Sequence, residues 1–344
     1  MRSGPEVSSS PERCVRLPRR KRAAWVVLAG LTLSSLAGVG EWRNLLDRDL
    51  SQWDTYLSFR HQDDYSGKPP VNAAGAKVAP IGYSQNEAGV FTAVEIDGRP
   101  ALRISGEIYG CLFTREEFAN YRLKLKVKCG SAKWEPRREK LRDSGILYHS
   151  VGPSGVDYFR SWMLSQEFQI MEGHMGDYWS IAHSATDIRA FIPEGSMNSV
   201  ASATQPFLPF GAAPSVSGFC LRSADHESKP DESTELELIC FEGKSLHIVN
   251  GEVVMVLRNS RSVTDGVATP LTKGKIQLQS EAAEVFFTDI QIQPIDAMPG
   301  DYQSLFEQAA RRRARPRTEV VSGFRTPRRV GDGNGSARPS VAQT

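Results

Sequence analysis

A short segment of the chain, residues 167–172, reads Glu-Phe-Gln-Ile-Met-Glu and mixes carboxylates and a carboxamide with apolar side chains. In a strand, Phe168 would face a core, and Glu167 and Gln169 would lie roughly 6.5 to 7 Å apart on the opposite face, because a strand rises ~3.3 Å per residue. Glu172 is out of phase, and a β-bulge would bring it onto that face. The segment therefore predicts an active site; the alternative is a half-buried strand whose polar face meets water.

Two other strand candidates carry polar side chains in the phase opposite to their apolar residues. The strand 146–149 carries His149, and the strand 276–281 carries Gln277, Gln279 and Glu281. Such groups suit hydrogen bonds to sugar hydroxyls better than contact with a hydrophobic ligand. Aromatic residues flank the central strand and could stack on pyranose rings, although each also suits a core: Trp162, Tyr178 and Trp179.

Two kinds of chemistry fit these side chains. Paired carboxylates beside a histidine suit general acid/base catalysis on a glycosidic bond or on a carbon acid. A divalent metal is an alternative, because mixed nitrogen and oxygen ligands are available. No compact metal motif occurs in the sequence, and two sets of ligands are candidates: His149, Glu167 and Glu172, or His174 and Asp177.

The region around these residues has the pattern of short strands. Residues 121–128 alternate apolar and basic side chains with a period of two, which predicts a half-buried strand. Segments 236–241, 246–249 and 252–257 predict a meander, with Asn250-Gly251 suited to a type I′ turn. Two more strands are expected at 275–280 and 284–294. Because no long amphipathic helix is evident, we predict an all-β, jelly-roll-like sandwich of two antiparallel sheets.

Composition limits the remaining segments. The 344 residues carry 42 Lys and Arg against 40 Asp and Glu, with the basic residues concentrated at the two ends, so no nucleic-acid surface is implied. Residues 63–89 and 196–217 are rich in small residues and proline, which predicts long loops. A short helix is expected at 303–313, and the rest of the basic tail to residue 344 is expected to be disordered and solvated.

The N-terminal region resembles an export signal or a membrane anchor. Arg19-Arg20-Lys21-Arg22 precedes an uncharged stretch from Ala23 to Gly40, and both cleavage and retention fit it. We therefore expect the domain outside the cytoplasm, in the cell envelope. Of the exported cysteines, Cys220 and Cys240 are the better matched pair, and free buried cysteines are the alternative.

Several motifs together resemble the DUF1080 family, also called the 3-keto-disaccharide hydrolase or 3-keto-glucoside lyase/hydratase domain. They are an opening Trp42-Arg43-Asn44-Leu45-Leu46-Asp47 with Leu50-Ser51-Gln52-Trp53, residues 118–127, Ser144-Gly145-Ile146-Leu147-Tyr148, residues 167–173 with Gly176-Asp177-Tyr178-Trp179, and residues 274–281 before Val285-Phe286-Phe287. The matches span most of the domain. Two positions depart from the pattern: Ser144 stands where asparagine is usual, and His174 where an acidic or small residue is expected.

The resemblance implies a concanavalin-like jelly roll and a sugar already oxidised at C3, and the chemistry alone implies a separate 3-dehydrogenase upstream. A C3 ketone acidifies the C2 hydrogen, so a base can remove it, the C1 substituent can leave and water can add back. The resemblance implies roles as follows: His149 or Glu167 as base, Glu172 as acid, and Gln169, Asp177, Trp179, Gln279 and Glu281 as substrate ligands.

Two other functions remain open. Glu167-x-Gln169-x-x-Glu172 resembles the E-x-D-x-x-E strand of jelly-roll endoglucanases, in which two carboxyls about 5 to 5.5 Å apart give retaining cleavage. The other alternative is a non-catalytic carbohydrate-binding wall module. The predicted organisation is a basic leader with a signal or anchor helix (1–40), the jelly-roll domain (41–296), and a short helix with a disordered tail (297–344).

Overall fold

The computed structural model describes residues 40–307 and shows two antiparallel sheets. The larger sheet has twelve strands: β1 (Arg43–Asn44), β4 (Phe91–Ile96), β5 (Arg99–Ile104), β7 (Tyr121–Lys133), β11 (Ser184–Phe191), β12 (Val200–Ala201), β13 (Phe207–Gly211), β15 (Thr234–Phe241), β16 (Lys244–Val249), β17 (Glu252–Thr264), β18 (Val267–Pro270) and β20 (Ala283–Pro294). The smaller sheet has eight: β2 (Trp53–Leu57), β3 (Gly82–Tyr83), β6 (Gly110–Thr114), β8 (Gly145–Val151), β9 (Leu164–Gln169), β10 (Tyr178–Ile181), β14 (Phe219–Cys220) and β19 (Lys275–Ser280).

The main hydrophobic core lies between the two sheets. Leu123, Leu125 and Leu238 enter it from the larger sheet, and Ile146 and Phe168 enter it from the smaller one. In β7 the alternate residues are buried and half-buried, as the period of two predicts. The all-β sandwich predicted from the sequence is confirmed.

Most of the predicted strands are present. β15, β16 and β17 form the expected antiparallel meander, and Asn250 and Gly251 have φ of 49° and 84°, as a type I′ turn requires. The predicted loop 196–217 is wrong in part, because β12 and β13 both pair with β11. Phe207 and Phe210 give β13 its apolar content, but Pro206 and Pro209 obscure the pattern in the sequence.

The segment after β20 packs against the outer face of the larger sheet. A short helix, α1 (Gly300–Gln303), and a 3-10 turn (Ser304–Phe306) follow, so the helix predicted at 303–313 begins earlier and turns into 3-10 geometry. Met298 and Phe306 are buried against β15 and β16. The signal or anchor helix predicted within residues 1–40 and the tail from residue 308 lie outside the described residues.

The cysteines and the helices bear on two further expectations. Among the described residues, Cys111, Cys129, Cys220 and Cys240 form no disulfide. Cys220 and Cys240 belong to different hydrophobic clusters, so the pairing considered for them is not formed. Between residues 40 and 307, no helix combines the length and the apolar composition needed to cross a membrane.

His247 lies in the core directly behind the segment 167–172. Its ring stacks on Phe168 with centroids 4.3 Å apart, and its nitrogens contact the Tyr148 hydroxyl at 3.2 Å and the carbonyl oxygen of Gly176 at 3.1 Å. Burial lowers the pKa of His247 to about 3, because the cationic ring would lose its hydration. The folded protein therefore holds this histidine neutral.

We expect His247→Gln to flatten the dependence of stability on acid pH. The unfolded histidine binds a proton near pH 6.5, so its contribution to stability is present above that pH and is lost as the pH falls towards 3, by up to about 1.4 kcal/mol per pH unit. Urea denaturation at pH 7, 6, 5 and 4 measures this slope. The exposed His183→Gln variant is the control, and an unchanged slope in His247→Gln would contradict the assignment.

Candidate functional site

A cavity of about 680 Å³ opens on the outer face of the smaller sheet, the face turned away from the larger sheet. Strands β8, β9 and β19 lie side by side there, with Leu147 opposite both Glu167 and Gln277. Loops around Trp134–Asp143 and Asp157–Trp162 supply the cavity walls. The site therefore rests on three adjacent strands whose other face belongs to the core.

Glu167 and Gln169 point from β9 into this cavity, while Phe168 between them points into the core. The alternation continues past the end of the strand, so Met171 is the third residue of the segment on the cavity side. Both polar side chains are almost fully buried. No described residue donates a hydrogen bond to the Glu167 carboxylate or forms an ion pair with it, so this carboxylate is free to act on a ligand.

Gln279 reaches the same space from β19. Its amide oxygen and nitrogen are buried and have no hydrogen-bond partner among the described residues. Gly145, which pairs with Gln169, makes the room: a Cβ there would overlap Gln279 Oε1 and lie 2.6 Å from Glu167 Oε1. A residue larger than glycine at position 145 would fill the space between the two polar groups.

A cluster of charged side chains forms the deepest part of the cavity. The Nη2 of Arg137 contacts both Asp143 and Glu281, the latter at 2.8 Å. With Glu167, three buried carboxyls thus lie near one partly buried guanidinium. Burial, then the negative charges of Glu281 and Asp143, raise the pKa of Glu167 well above its usual range.

The other charged groups of the cluster respond to the same environment. Burial raises the pKa of Asp143, and the nearby Glu281 raises it further, although Arg137 opposes both. Burial also raises the pKa of Glu281, and Arg137 again opposes it. Glu167 is the carboxyl without a cationic partner, so it is the one that most readily keeps or takes a proton.

Aromatic side chains form the remaining wall. Tyr109, Phe159 and Trp162 pack against one another, and the buried His61 ring lies 4.3 Å from the Tyr109 ring behind the wall. Trp162 donates its indole N–H to the carbonyl oxygen of Gly110, which fixes its ring. Trp179 stands at the mouth, 41 % exposed, and offers the only one of the predicted stacking surfaces that is open to solvent.

A family model described as the 3-keto-alpha-glucoside-1,2-lyase-like domain matches residues 41–293. The chain belongs to this family. It is a carbohydrate-active domain of lyase-like type, as the motifs of the sequence predict. A search of curated proteins finds no match.

Solved structures similar to this chain have low sequence identity to it. A candidate glycosyl hydrolase from Parabacteroides distasonis is 17% identical, with 74% of this chain and 100% of that chain covered and a TM-score of 0.40. Another from the same organism is 15% identical, with 75% and 94% covered and a TM-score of 0.37. The carbohydrate-binding module CBM66 from Bacillus subtilis is 7% identical, with 59% and 91% covered and a TM-score of 0.33.

In this lyase-like domain the expected base His149 lies away from the cavity. A bulge between Tyr148 and Val151 gives His149 a φ of 53° and turns its ring towards Tyr121, with centroids 6.5 Å apart. Burial lowers the pKa of His149 to about 4. The expectation that His149 shares the polar face with Glu167 does not match this geometry.

Glu172 is also outside the cavity. No bulge interrupts residues 167–172; instead the Ile170 and Glu172 amides donate to the carbonyl oxygens of Ser144 and Arg142, so the out-of-phase residue stays on the opposite face. The Glu172 carboxylate forms an ion pair of 2.6 Å with Arg142. The expected pairing of Glu167 with Glu172 is therefore not formed.

The remaining predicted residues divide between the cavity and other parts of the fold. Asp177 is buried behind the turn after β9, where it contacts His174 Nδ1 at 2.9 Å and accepts from the Arg222 amide at 2.8 Å. Tyr178 faces a separate apolar cluster, and Gln277 is satisfied by Ser150 and the Met163 amide. The structure brings together six of the predicted residues at the cavity: Trp162, Glu167, Gln169, Trp179, Gln279 and Glu281.

Of the two predicted sets of metal ligands, His149, Glu167 and Glu172 do not converge, whereas His174 and Asp177 contact each other at 2.9 Å. Glu167, His149 and Glu172 lie in three different environments, as described above. Within residues 40–307, no group of three His, Cys, Asp or Glu side chains has the spacing to hold a metal ion.

Sequence reasoning missed Tyr109, Arg137 and Asp143. Arg137 and Asp143 lie in the loop between β7 and β8, where no periodicity marks them. One signal in the sequence marks Asp143: this residue immediately precedes the Ser144-Gly145-Ile146 motif of the family.

We expect Gly145→Ala to lower the turnover of a carbohydrate substrate by about 100-fold, since displacing a reacting group by about 1 Å costs that much. The melting temperature should change little, because the side chains that must move face a cavity. Circular dichroism and initial rates measure the two effects. Gly300→Ala, where a Cβ meets no neighbour within 4 Å, is the control, and full activity of Gly145→Ala would contradict the placement of Gln279 and Glu167.

Proposed function

We propose that this domain cleaves 3-keto-glycosides by removing the C2 proton, eliminating the C1 substituent and adding water to the product. The observation that carries the proposal is the Glu167 carboxylate, which is buried in the cavity without an ion pair and has a raised pKa. A base whose pKa approaches the working pH is well suited to taking a proton from a carbon acid. Membership of the lyase-like family supports the same reaction.

The steps balance as follows. Glu167 takes the C2 proton, and the electron pair of the C–H bond forms the enolate of the C3 ketone. The enolate then restores the C3 carbonyl and forms the C1–C2 double bond as the C1–O bond breaks. A water molecule gives a proton to the leaving oxygen, the resulting hydroxide adds to C1, and Glu167 returns its proton to C2. The net reaction is hydrolysis.

The other parts of the site have roles in this proposal. Gln169 and Gln279 bind sugar hydroxyls, since an amide supplies both a donor and an acceptor. Trp179 at the mouth stacks on the leaving sugar. Neither His149 nor Glu172 takes part in catalysis in this proposal, because both lie outside the cavity. The endoglucanase-like mechanism requires Glu167 and Glu172 to lie close together, so their separation argues against it.

The proposal extends to the setting of the reaction. A sugar 3-dehydrogenase must supply the ketone, because the cleavage begins from a C3 carbonyl. The basic and apolar N-terminal segment supports export to the cell envelope, with the segment either removed or kept as a single membrane anchor. We propose that residues 41–296 form the catalytic unit and residues 297–344 a C-terminal extension. The first part of this extension, up to Phe306, packs on the larger sheet.

The full chain, incubated in deuterated water with a 3-keto-disaccharide or its unoxidised parent, tests the reaction by NMR. We expect cleavage of the keto sugar alone, with deuterium entering at C2. Cleavage of the parent without exchange would indicate a glycosidase, and cleavage of neither by folded protein would indicate a binding module.

Glu167→Gln should reduce turnover of the keto sugar by about 10²- to 10⁴-fold, the usual range for removing a general base, with little change in binding. Initial rates and isothermal titration calorimetry with the keto sugar measure the two quantities. Glu172→Gln, on the opposite face, should keep turnover close to wild type. Equal losses in both variants would show that the loss reflects folding rather than chemistry.

The pH profile of kcat/KM gives a further prediction. Since only the ionised Glu167 accepts a proton, the rate should rise with pH through a midpoint above the ordinary glutamate pKa of about 4.3. Glu281→Gln removes a negative charge that raises the Glu167 pKa, so the rising limb should move to lower pH. Glu235→Gln, on the larger sheet, should leave it in place, and a limb unmoved by Glu281→Gln would exclude Glu167 as the titrating base.

A further inference from the structure

The Arg137 guanidinium is held at the cavity through one of its nitrogens. Nη2 contacts Asp143 and Glu281, while Nη1 has only the Met171 sulfur at 3.9 Å, and the buried Nε has no acceptor among the described residues. The two carboxylates therefore fix the position of the Arg137 guanidinium without using all its N–H donors. A guanidinium has five N–H donors and no acceptor, so the unused N–H groups can bind only acceptor atoms of a ligand.

Tyr109 provides a second free donor at the same place. Its hydroxyl is buried, lines the cavity and has no hydrogen-bond partner within the described part of the chain. Burial raises the pKa of Tyr109 well above its usual range, so the hydroxyl keeps its proton. Arg137 lines the same cavity, so both groups can present donors to one ligand.

We propose that Arg137 and Tyr109 bind the C3 carbonyl oxygen of the substrate and stabilise the enolate that forms there. This inference rests on the proposed function and adds the part of the site that recognises the oxidised carbon. A ketone oxygen accepts hydrogen bonds and donates none, which matches these donors. Fixed donors aimed at an oxygen that becomes negative stabilise the transition state more than the ground state.

Asp143 and Glu281 are positioning residues in this arrangement. Their contacts with Nη2 orient the guanidinium and balance its charge before substrate enters. When Glu167 removes the C2 proton, the negative charge moves from its carboxylate to the C3 oxygen and so towards Arg137. The negative charge thus leaves Glu167, which has no cationic partner among the described residues. It reaches the C3 oxygen, which accepts hydrogen bonds from Arg137 and Tyr109.

A substrate without an aglycone at C1 isolates this step. In deuterated water, 3-keto-1,5-anhydroglucitol can exchange its C2 hydrogen but has no glycosidic oxygen to eliminate. We expect wild-type protein to catalyse this exchange and Tyr109→Phe to lower the exchange rate by about 100-fold with KM nearly unchanged. Tyr109→Phe retains the aromatic ring against His61 and Phe159, so folding is preserved. Arg137→Gln should lose more, and Arg137→Lys should recover part of that loss.

A spectroscopic readout tests the contact itself. In the Glu167→Gln background, which keeps the substrate intact, the ¹³C resonance of a 3-keto-disaccharide labelled at C3 should move downfield on binding. Adding Tyr109→Phe should move it back towards the free position. An unchanged carbonyl shift, with exchange within twofold of wild type in Tyr109→Phe, would overturn the assignment.

The outcomes separate this inference from the proposed function. If the wild type exchanges C2 and neither Tyr109→Phe nor Arg137→Gln slows that exchange, the function stands and these two residues do not bind the ketone. If the wild type cleaves glycosides without any exchange at C2, no enolate forms, and both proposals fail. The Glu172→Gln variant, outside the cavity, should exchange at the wild-type rate in every case.

Discussion

The imbalance of charge at the floor of the cavity, three buried carboxyls around one guanidinium, determines the properties of the site. Burial weakens the screening of the repulsion, so the carboxyls compete for Arg137 and for protons. Asp143 and Glu281 form ion pairs with Arg137, and Glu167 forms none among the described residues. Glu167 thus becomes a stronger base than a surface glutamate, and no histidine among the described residues lines this cavity.

The imbalance is maintained by the packing of the sandwich. β9 is buried on both faces, so Phe168 is held between the sheets against His247 while Glu167 and Gln169 are held in the cavity. A one-residue slip of β9 would exchange these two sets of side chains. The core therefore fixes which residues can do chemistry, and the loop with Arg137 and Asp143 then adds the charges that tune them.

The period-two patterns predicted most of the strands and part of the site. Glu167, Gln169, Gln279 and Glu281 reach the cavity as expected, because alternation depends only on local backbone geometry. The predicted position of Glu172 is wrong because its backbone continues to pair with Arg142 instead of forming a bulge. The predicted position of His149 is wrong because a bulge occurs at His149 itself. Such register changes arise from pairing between distant segments. Arg137 and Asp143 lie on a loop, where no repeat reveals the direction of a side chain.

The Gln279 side chain bears on which sugars the cavity can distinguish. Its amide supplies both a donor and an acceptor, and neither is used by another described residue. A sugar hydroxyl both donates and accepts, so it would match both groups of the amide. A deoxy sugar would leave the amide without a partner in the complex, at a cost on the order of 1 to 3 kcal/mol for each unsatisfied group. The amide therefore favours sugars that carry a hydroxyl at the position facing it.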